Sequence, residues 1–222
     1  MKTTFLRDQA WTPDGKLMTL HEHDGAFMIR VAGVELMSSR QHHSEELLAE
    51  RACAHIPSQS AEGRVLIGGL GLGFTLREAL KHLGPEARVV VVELIPEVIA
   101  WNLVPEYNLG KDALADSRVK LVQGDVQDLL RTSRAAFDAI ILDVDNGASG
   151  LSVQKNNNLY TTTGLLLARA ALKPAGCLAI WSAGHDPAFA EQMRHSGFSV
   201  TVERARTHSS SSSCNSLFIG RI

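Results

Sequence analysis

Residues 65–77, VLIGGLGLGFTLR, carry three aliphatic side chains, Val65, Leu66 and Ile67, into a run of glycines and on into a helical pattern. An apolar strand, a tight glycine turn and a helix in immediate succession form the opening unit of an open α/β sheet. The glycines admit two readings. They are a cradle for a nucleotide-like cofactor, or a strand-to-helix turn made tight for packing alone.

Downstream the alternation repeats. RVVVVEL (88–94) reads as a strand and PEVIAWNL (96–103) as a helix with Pro96 in its first turn. VKLVQGD (119–125) is a strand, VQDLLRT (126–132) a short helix and FDAIILDVD (137–145) a strand. LYTTTGLLLARAALKPAG (159–176) predicts a helix stopped by Lys173, Pro174 and Gly176. CLAIWSA (177–183) is a strand, DPAFAEQMRHSG (186–197) a helix, and FSVTVERA (198–205) and NSLFIGRI (215–222) are two closing strands. The middle strands are almost uninterrupted apolar runs, the pattern of a parallel sheet covered on both faces.

The first forty residues differ. KLMTLHEHDGAFMIRVAGVELM (16–37) breaks at Asp24-Gly25 and Ala32-Gly33, two hairpin signals, and predicts a small antiparallel meander. SEELLAERACAHI (44–56) follows as a helix with Ser44 as N-cap and Leu47, Leu48, Ala52 and Ile56 facing inward.

Composition narrows the function classes. The chain has 222 residues, 45% hydrophobic, with a formal net charge of −2 and no basic stripe, which argues against a nucleic-acid partner. Three cysteines, Cys53, Cys177 and Cys214, are an odd and scattered set, against a disulfide framework. Neither His21-x-His23 nor His42-His43 has the spacing of a zinc motif, so no metal is expected. No apolar run approaches a signal peptide or a membrane span, and the expected location is the cytoplasm.

In a doubly wound sheet ligands bind beyond the carboxyl ends of the strands. After the first such strand stand Gly69, Gly71 and Gly73. The next ends in Glu93, about 20 residues on, where an acid accepts hydrogen bonds from ribose hydroxyls. The third ends in Gly124-Asp125, placed for an adenine amino group, and the fourth in Asp143, with Asp145 and Asn146 just beyond. Four consecutive strand ends with glycines or acids point to a nucleoside-type cofactor. Phe74 stands where the third glycine of a dinucleotide fingerprint belongs, which shifts the expectation to S-adenosylmethionine or a close relative. Tyr160 and Trp181 are candidates for an acceptor pocket, where an aromatic face stabilises a cation; core packing is the alternative for Trp181.

Taken in order, GVELMSSRQHHSEELLAERACAHI (33–56), GLGLGFTLREALKH (69–82), VVVVELIPEVI (89–99), VKLVQGDVQDLL (119–130), FDAIILDVDNG (137–147) and ARAALKPAGCLAI (168–180) resemble successive motifs of spermidine synthase and its relatives. The resemblance implies an α/β fold: a doubly wound, mostly parallel Rossmann-like methyltransferase sheet with a small N-terminal antiparallel β element. It implies residues 1–43 as the β-meander and 44–222 as the S-adenosylmethionine-binding domain. It further implies that the glycine loop holds the methionine-derived tail, Glu93 the ribose and Asp125 the adenine, and that Asp143 lies beside an attacking amine as the first aspartate of an Asp-x-x-Asp segment. A homodimer is implied as well.

Three positions depart from that family's pattern. Leu72 stands where its glycine loop carries an aspartate for the aminopropyl amine. Asn146 replaces the second aspartate, with Asp145 one residue early. Ser44, Glu45 and Glu46 align with a Tyr-His-Glu, keeping only the last. The expected function is therefore alkylation of a small amine by S-adenosylmethionine or its decarboxylated form, Asp143 and Asp145 serving catalysis and Asn146 and Tyr160 the acceptor. The departures tilt it toward methyl transfer. The alternatives are aminopropyl transfer to putrescine and a non-catalytic adenosyl-binding module.

Overall fold

The computed structural model describes residues 3–57, 62–144, 158–206 and 214–222. Two sheets are present. The first is an antiparallel meander of β1 (Thr4–Trp11), β2 (Leu17–His23), β3 (Ala26–Val31) and β4 (Val34–Ser38). Both two-residue turns named in the sequence close hairpins, with positive φ at Asp24 and Gly25 and at Ala32 and Gly33, as strand twist requires. β1 was not legible in the sequence. Of its eight residues only Ala10 is buried, so no apolar alternation marks it; pairing with β2 through a bulge between Leu6 and Asp8 makes it a strand.

The second sheet has seven strands: β5 (Arg64–Gly68), β6 (Arg88–Glu93), β7 (Val119–Gln123), β8 (Phe137–Leu142), β9 (Leu172–Ser182), β10 (Ser199–Arg206) and β11 (Cys214–Arg221). Their order is β10-β11-β9-β8-β5-β6-β7, parallel from β9 to β7, with β11 antiparallel between β9 and β10. The chain reverses direction across the sheet between β5 and β8, and a crevice opens at that switch point. The expected α/β class and the mostly parallel sheet with its antiparallel N-terminal element are both present.

Helices α1 (His43–Cys53), α2 (Phe74–His82), α3 (Pro96–Leu103), α4 (Lys111–Leu114), α5 (Val126–Thr132), α6 (Thr162–Ala171) and α7 (Pro187–His195) join the strands. Strand residues alternate between two cores: Val65 and Ile67 face one, Leu66 the other. Met18, Leu20, Ile29 and Val31 of the meander join the first of these, so the small sheet packs directly on the α1–α3 side of the large one. Two sequence expectations fail locally. Ser44 is not the cap of α1, which begins at His43 with no side-chain cap; Ser44 is buried and bonded elsewhere. The helix expected to reach Gly176 ends at Ala171, because Leu172 is buried opposite Phe137 and a bulge with Ala175 at φ +62° starts β9 early.

Two buried polar side chains hold the layers in place. Trp101 is buried, and its Nε1–H donates to Asp8 Oδ2 at 2.7 Å, tying β1 to α3. Asn102 is fully buried; its Nδ2 donates to Gly71 O (2.7 Å) and Val98 O (2.8 Å), and its Oδ1 accepts from Gly110 N (2.9 Å). It therefore locks the glycine loop to α3 and to the start of α4. Gly73, at φ +83°, packs so closely on Gly110 that a Cβ would lie 2.8 Å from Gly110 Cα.

Truncation of Asn102 strands a buried carbonyl and a buried amide. Asn102→Ala is expected to destabilise the protein by roughly 2–4 kcal/mol, read as a lowered denaturation midpoint at unchanged slope in urea.

Candidate active site

Two adjoining cavities lie beyond the carboxyl ends of β5, β6, β7 and β8. The first, about 640 Å³, is floored by Gly69, Gly71, Glu93, Gly124, Asp125 and Asp143 and roofed by Met18, Ile29, Leu36 and Met37 of the meander. The second, about 460 Å³, lies toward α1 and is lined by Glu45, Leu70, Leu72, Phe74, Thr75, Asp143 and Trp181. Asp143, Gly71, Leu36 and Met37 border both.

All six residues expected to hold the cofactor lie along this edge; five of them, with Asp143, line the first cavity, and Gly73 supports the loop from beneath. Gly69, at φ +91°, is where a Cβ would collide with Asp143 O at 2.3 Å, so only glycine lets the loop pass the end of β8. Glu93 is buried. Its Oε2 accepts from Leu70 N at 2.8 Å and its Oε1 from Ile95 N at 2.9 Å. Burial pushes its carboxyl upward, and the backbone donors pull against that shift. Glu93 also lines the first cavity, where a carboxyl oxygen can accept from a hydroxyl. Asp125 caps α5, its Oδ1 accepting from Gln127 N at 2.8 Å, while the residue also lines the cavity.

The loop is not a phosphate cradle. Gly69 N donates to Val92 O, Leu70 N to Glu93 and Gly73 N to Leu70 O, so three of its amides are already engaged. The carboxylates here favour a neutral or cationic ligand, the character of a sulfonium nucleoside and not of a pyrophosphate.

In the second cavity Thr75 Oγ1 donates to Asp143 Oδ2 at 2.5 Å. Burial pushes Asp143 up to about 6, against that hydrogen bond. Glu45 is pushed to about 7, first by burial and then by the charge of Asp143. Two carboxyl groups with neutral-range affinity for protons thus border one cavity. Glu45 was not among the expected site residues. The alignment kept Glu46, which instead pairs with His42 at 3.0 Å. The signal was present in the spacing: Glu45 precedes the buried Leu48, Ala49 and Ala52 by three, four and seven residues, on the same helical face.

Trp181 lines the second cavity. Tyr160 is buried, and its hydroxyl donates to Val144 O at 2.7 Å, beside Asp143. Asp145 and Asn146 lie outside the described residues. Among the described residues no three His, Cys, Asp or Glu side chains gather into a metal site, and no helix is long and apolar enough to cross a membrane.

The spermine/spermidine synthase domain profile matches residues 46–195. Polyamine aminopropyltransferase 1 of Streptomyces coelicolor is 32% identical over 163 residues, covering 72% of this chain and 29% of that protein. Polyamine aminopropyltransferase 2 of Caldanaerobacter subterraneus is 37% identical over 107 residues, 47% of this chain and 33% of that protein. The chain thus spans about a third or less of the length of these curated relatives. Among solved structures, spermidine synthase from Thermotoga maritima superposes with a TM-score of 0.77 at 20% identity, over 97% of this chain and 72% of that one, which establishes likeness of fold. With the profile covering well over half of its length, the chain belongs to the spermine/spermidine synthase domain family.

Proposed function

We propose that this protein transfers the aminopropyl group of decarboxylated S-adenosylmethionine to a small amine. The observation that carries the reading is Asp143, which borders the cavity at the strand ends that Glu93 and Asp125 line on one side and, with Glu45, a two-carboxyl cavity on the other. The lean toward methyl transfer in the sequence rested on Leu72, at the place of an acid, and on Asn146, which lies outside the described residues. Leu72 lines the same cavity as Glu45 and Asp143, so acidity missing from the loop is supplied from α1 and β8. The relatives matched are named for aminopropyl transfer and lend methyl transfer no support.

The reaction is a displacement at carbon. The amine lone pair attacks the aminopropyl carbon bonded to the sulfonium sulfur, the C–S bond breaks toward sulfur, and a neutral thioether leaves. An alkylamine arrives protonated, so it must first be bound as a cation and then lose a proton. Asp143 is the proton acceptor, and its near-neutral affinity suits that task. Glu45 adds negative charge for the ammonium, and Trp181, Phe74 and Leu72 line the space beside the carbon chain. Glu93 and Asp125 fix the nucleoside, so much of the rate comes from holding nitrogen, carbon and sulfur in line. Asp145 as a second carboxylate near the amine and Asn146 as an acceptor contact are proposed on the sequence pattern. Tyr160 would serve by holding the backbone next to Asp143.

Ligand-dependent melting tests the donor. Decarboxylated S-adenosylmethionine is expected to raise the melting temperature more than S-adenosylmethionine at equal concentration, and mass spectrometry with putrescine to show an aminopropylated product. Greater stabilisation by S-adenosylmethionine with methylated product would replace this reading by methyl transfer. Asp143→Asn is expected to retain donor-induced stabilisation while turnover falls roughly 10²–10⁴-fold.

The same carboxyl groups set a pH dependence of stability. Their affinity for protons is higher folded than unfolded, so the native state holds more protons between about pH 4 and 7. Their contribution is fully present below the unfolded value and is lost as pH rises through the folded one. Asp143→Asn is thus expected to be about 1–2 kcal/mol more stable than the parent at pH 8, with that advantage roughly halved at pH 5 and gone below about pH 4. Denaturant titrations at the two pH values check this.

A further inference from the structure

Ser44 is a buried hydroxyl at the start of α1, and three groups converge on it. Trp181 Nε1 donates to Ser44 Oγ at 3.0 Å, and Asn215 Nδ2, from β11, donates to the same oxygen at 3.0 Å. Ser44 Oγ in turn donates to Glu45 Oε2 at 2.5 Å. A serine hydroxyl has two lone pairs and one hydrogen. The indole N–H is a donor only, so it must take one lone pair; the amide takes the other. The single hydrogen has one remaining destination, the carboxyl of Glu45.

We propose that Ser44 is a positioning residue for Glu45. The Trp181–Ser44–Asn215 node commits the Ser44 proton to Glu45 Oε2, which holds that oxygen as an acceptor and leaves Oε1 as the atom that receives the ammonium of the acceptor. The node joins α1, β9 and β11, three segments far apart in the chain, so the orientation of Glu45 depends on the assembled sheet. The inference rests on reading the second cavity as the acceptor site.

The charged and titratable groups facing Glu45 are Asp143, after β8, and its neighbour Glu46 on α1, both of which raise its proton affinity; the Ser44 hydrogen bond lowers it. Removing the hydroxyl therefore has a signed consequence. The test is a carbon-13 titration of the Glu carboxyl resonances in the resting protein, without either substrate, with the Glu45 signal assigned by its loss in Glu45→Gln. Ser44→Ala is expected to raise the Glu45 midpoint by about one pH unit, while Ser44→Thr, which keeps the hydroxyl, is expected to restore the parent value. Should Ser44→Ala not fold, Asn215→Ala carries the test. It frees one lone pair, lets the hydroxyl turn away from Glu45, and is expected to shift the midpoint upward by a smaller amount.

An unchanged Glu45 midpoint in the folded variant, whatever its stability, would overturn the proposal. It would mean that Asn215 presents its oxygen and receives the Ser44 proton itself. A protein that shows the Ser44-dependent shift and transfers no aminopropyl group would count against the proposed reaction alone.

Discussion

The loop after β5 passes the end of β8 with no room for a side chain. A Cβ at Gly69 would sit 2.3 Å from the carbonyl oxygen of Asp143, and everything at the site follows from that approach. With loop and strand end in contact at the switch point of the sheet, Asp143 is held on the wall between two cavities. Were the loop to stand off by the width of a methyl group, Gly71 of the loop and Asp143 of the strand end would part along the wall that the two cavities share. The approach is maintained from behind by Asn102, whose three hydrogen bonds tie the loop, α3 and α4 into one piece. A buried amide satisfied at both ends is worth more as a fixture than as stabilisation, since each lost partner leaves a dry polar group.

The electrostatics follow one principle at both cavities: carboxyl groups are buried, and fixed donors limit the penalty. Glu93 has two backbone amides, Asp143 the hydroxyl of Thr75 and Glu45 that of Ser44. None of these partners carries a positive charge. Among the described residues that line the two cavities there is no lysine or arginine. That suits the proposed reaction, with its sulfonium donor and ammonium acceptor.

The meander acts as a roof. Its inner face joins the core on the α1–α3 side, the Trp101–Asp8 bond anchors its edge strand, and Met18, Ile29, Leu36 and Met37 close the first cavity from above. Over the proposed nucleoside these apolar side chains exclude water without competing for its hydrogen bonds, and the flexible thioether of Met37 lies against Gly71 where the two cavities meet.

Sequence alone determined the parallel sheet, the two hairpin turns and the row of glycines and acids at the strand ends, because each is a local matter. Apolar runs mark doubly covered strands, Asp-Gly and Ala-Gly mark turns, and the carboxyl end of a strand is a place the chain order names. It could not determine which acid of Glu45 and Glu46 enters the site, since that depends on how α1 is rotated against β9 and β11. Nor could it show β1, whose pairing is its only reason to be a strand. Ser44 looked like a helix cap because serine before an amphipathic run usually is one; its actual partners, Trp181 and Asn215, lie 137 and 171 residues away. Contacts of that range are decided by the assembled sheet, because only there do the burial and the exhausted lone pairs that give the hydroxyl its direction exist.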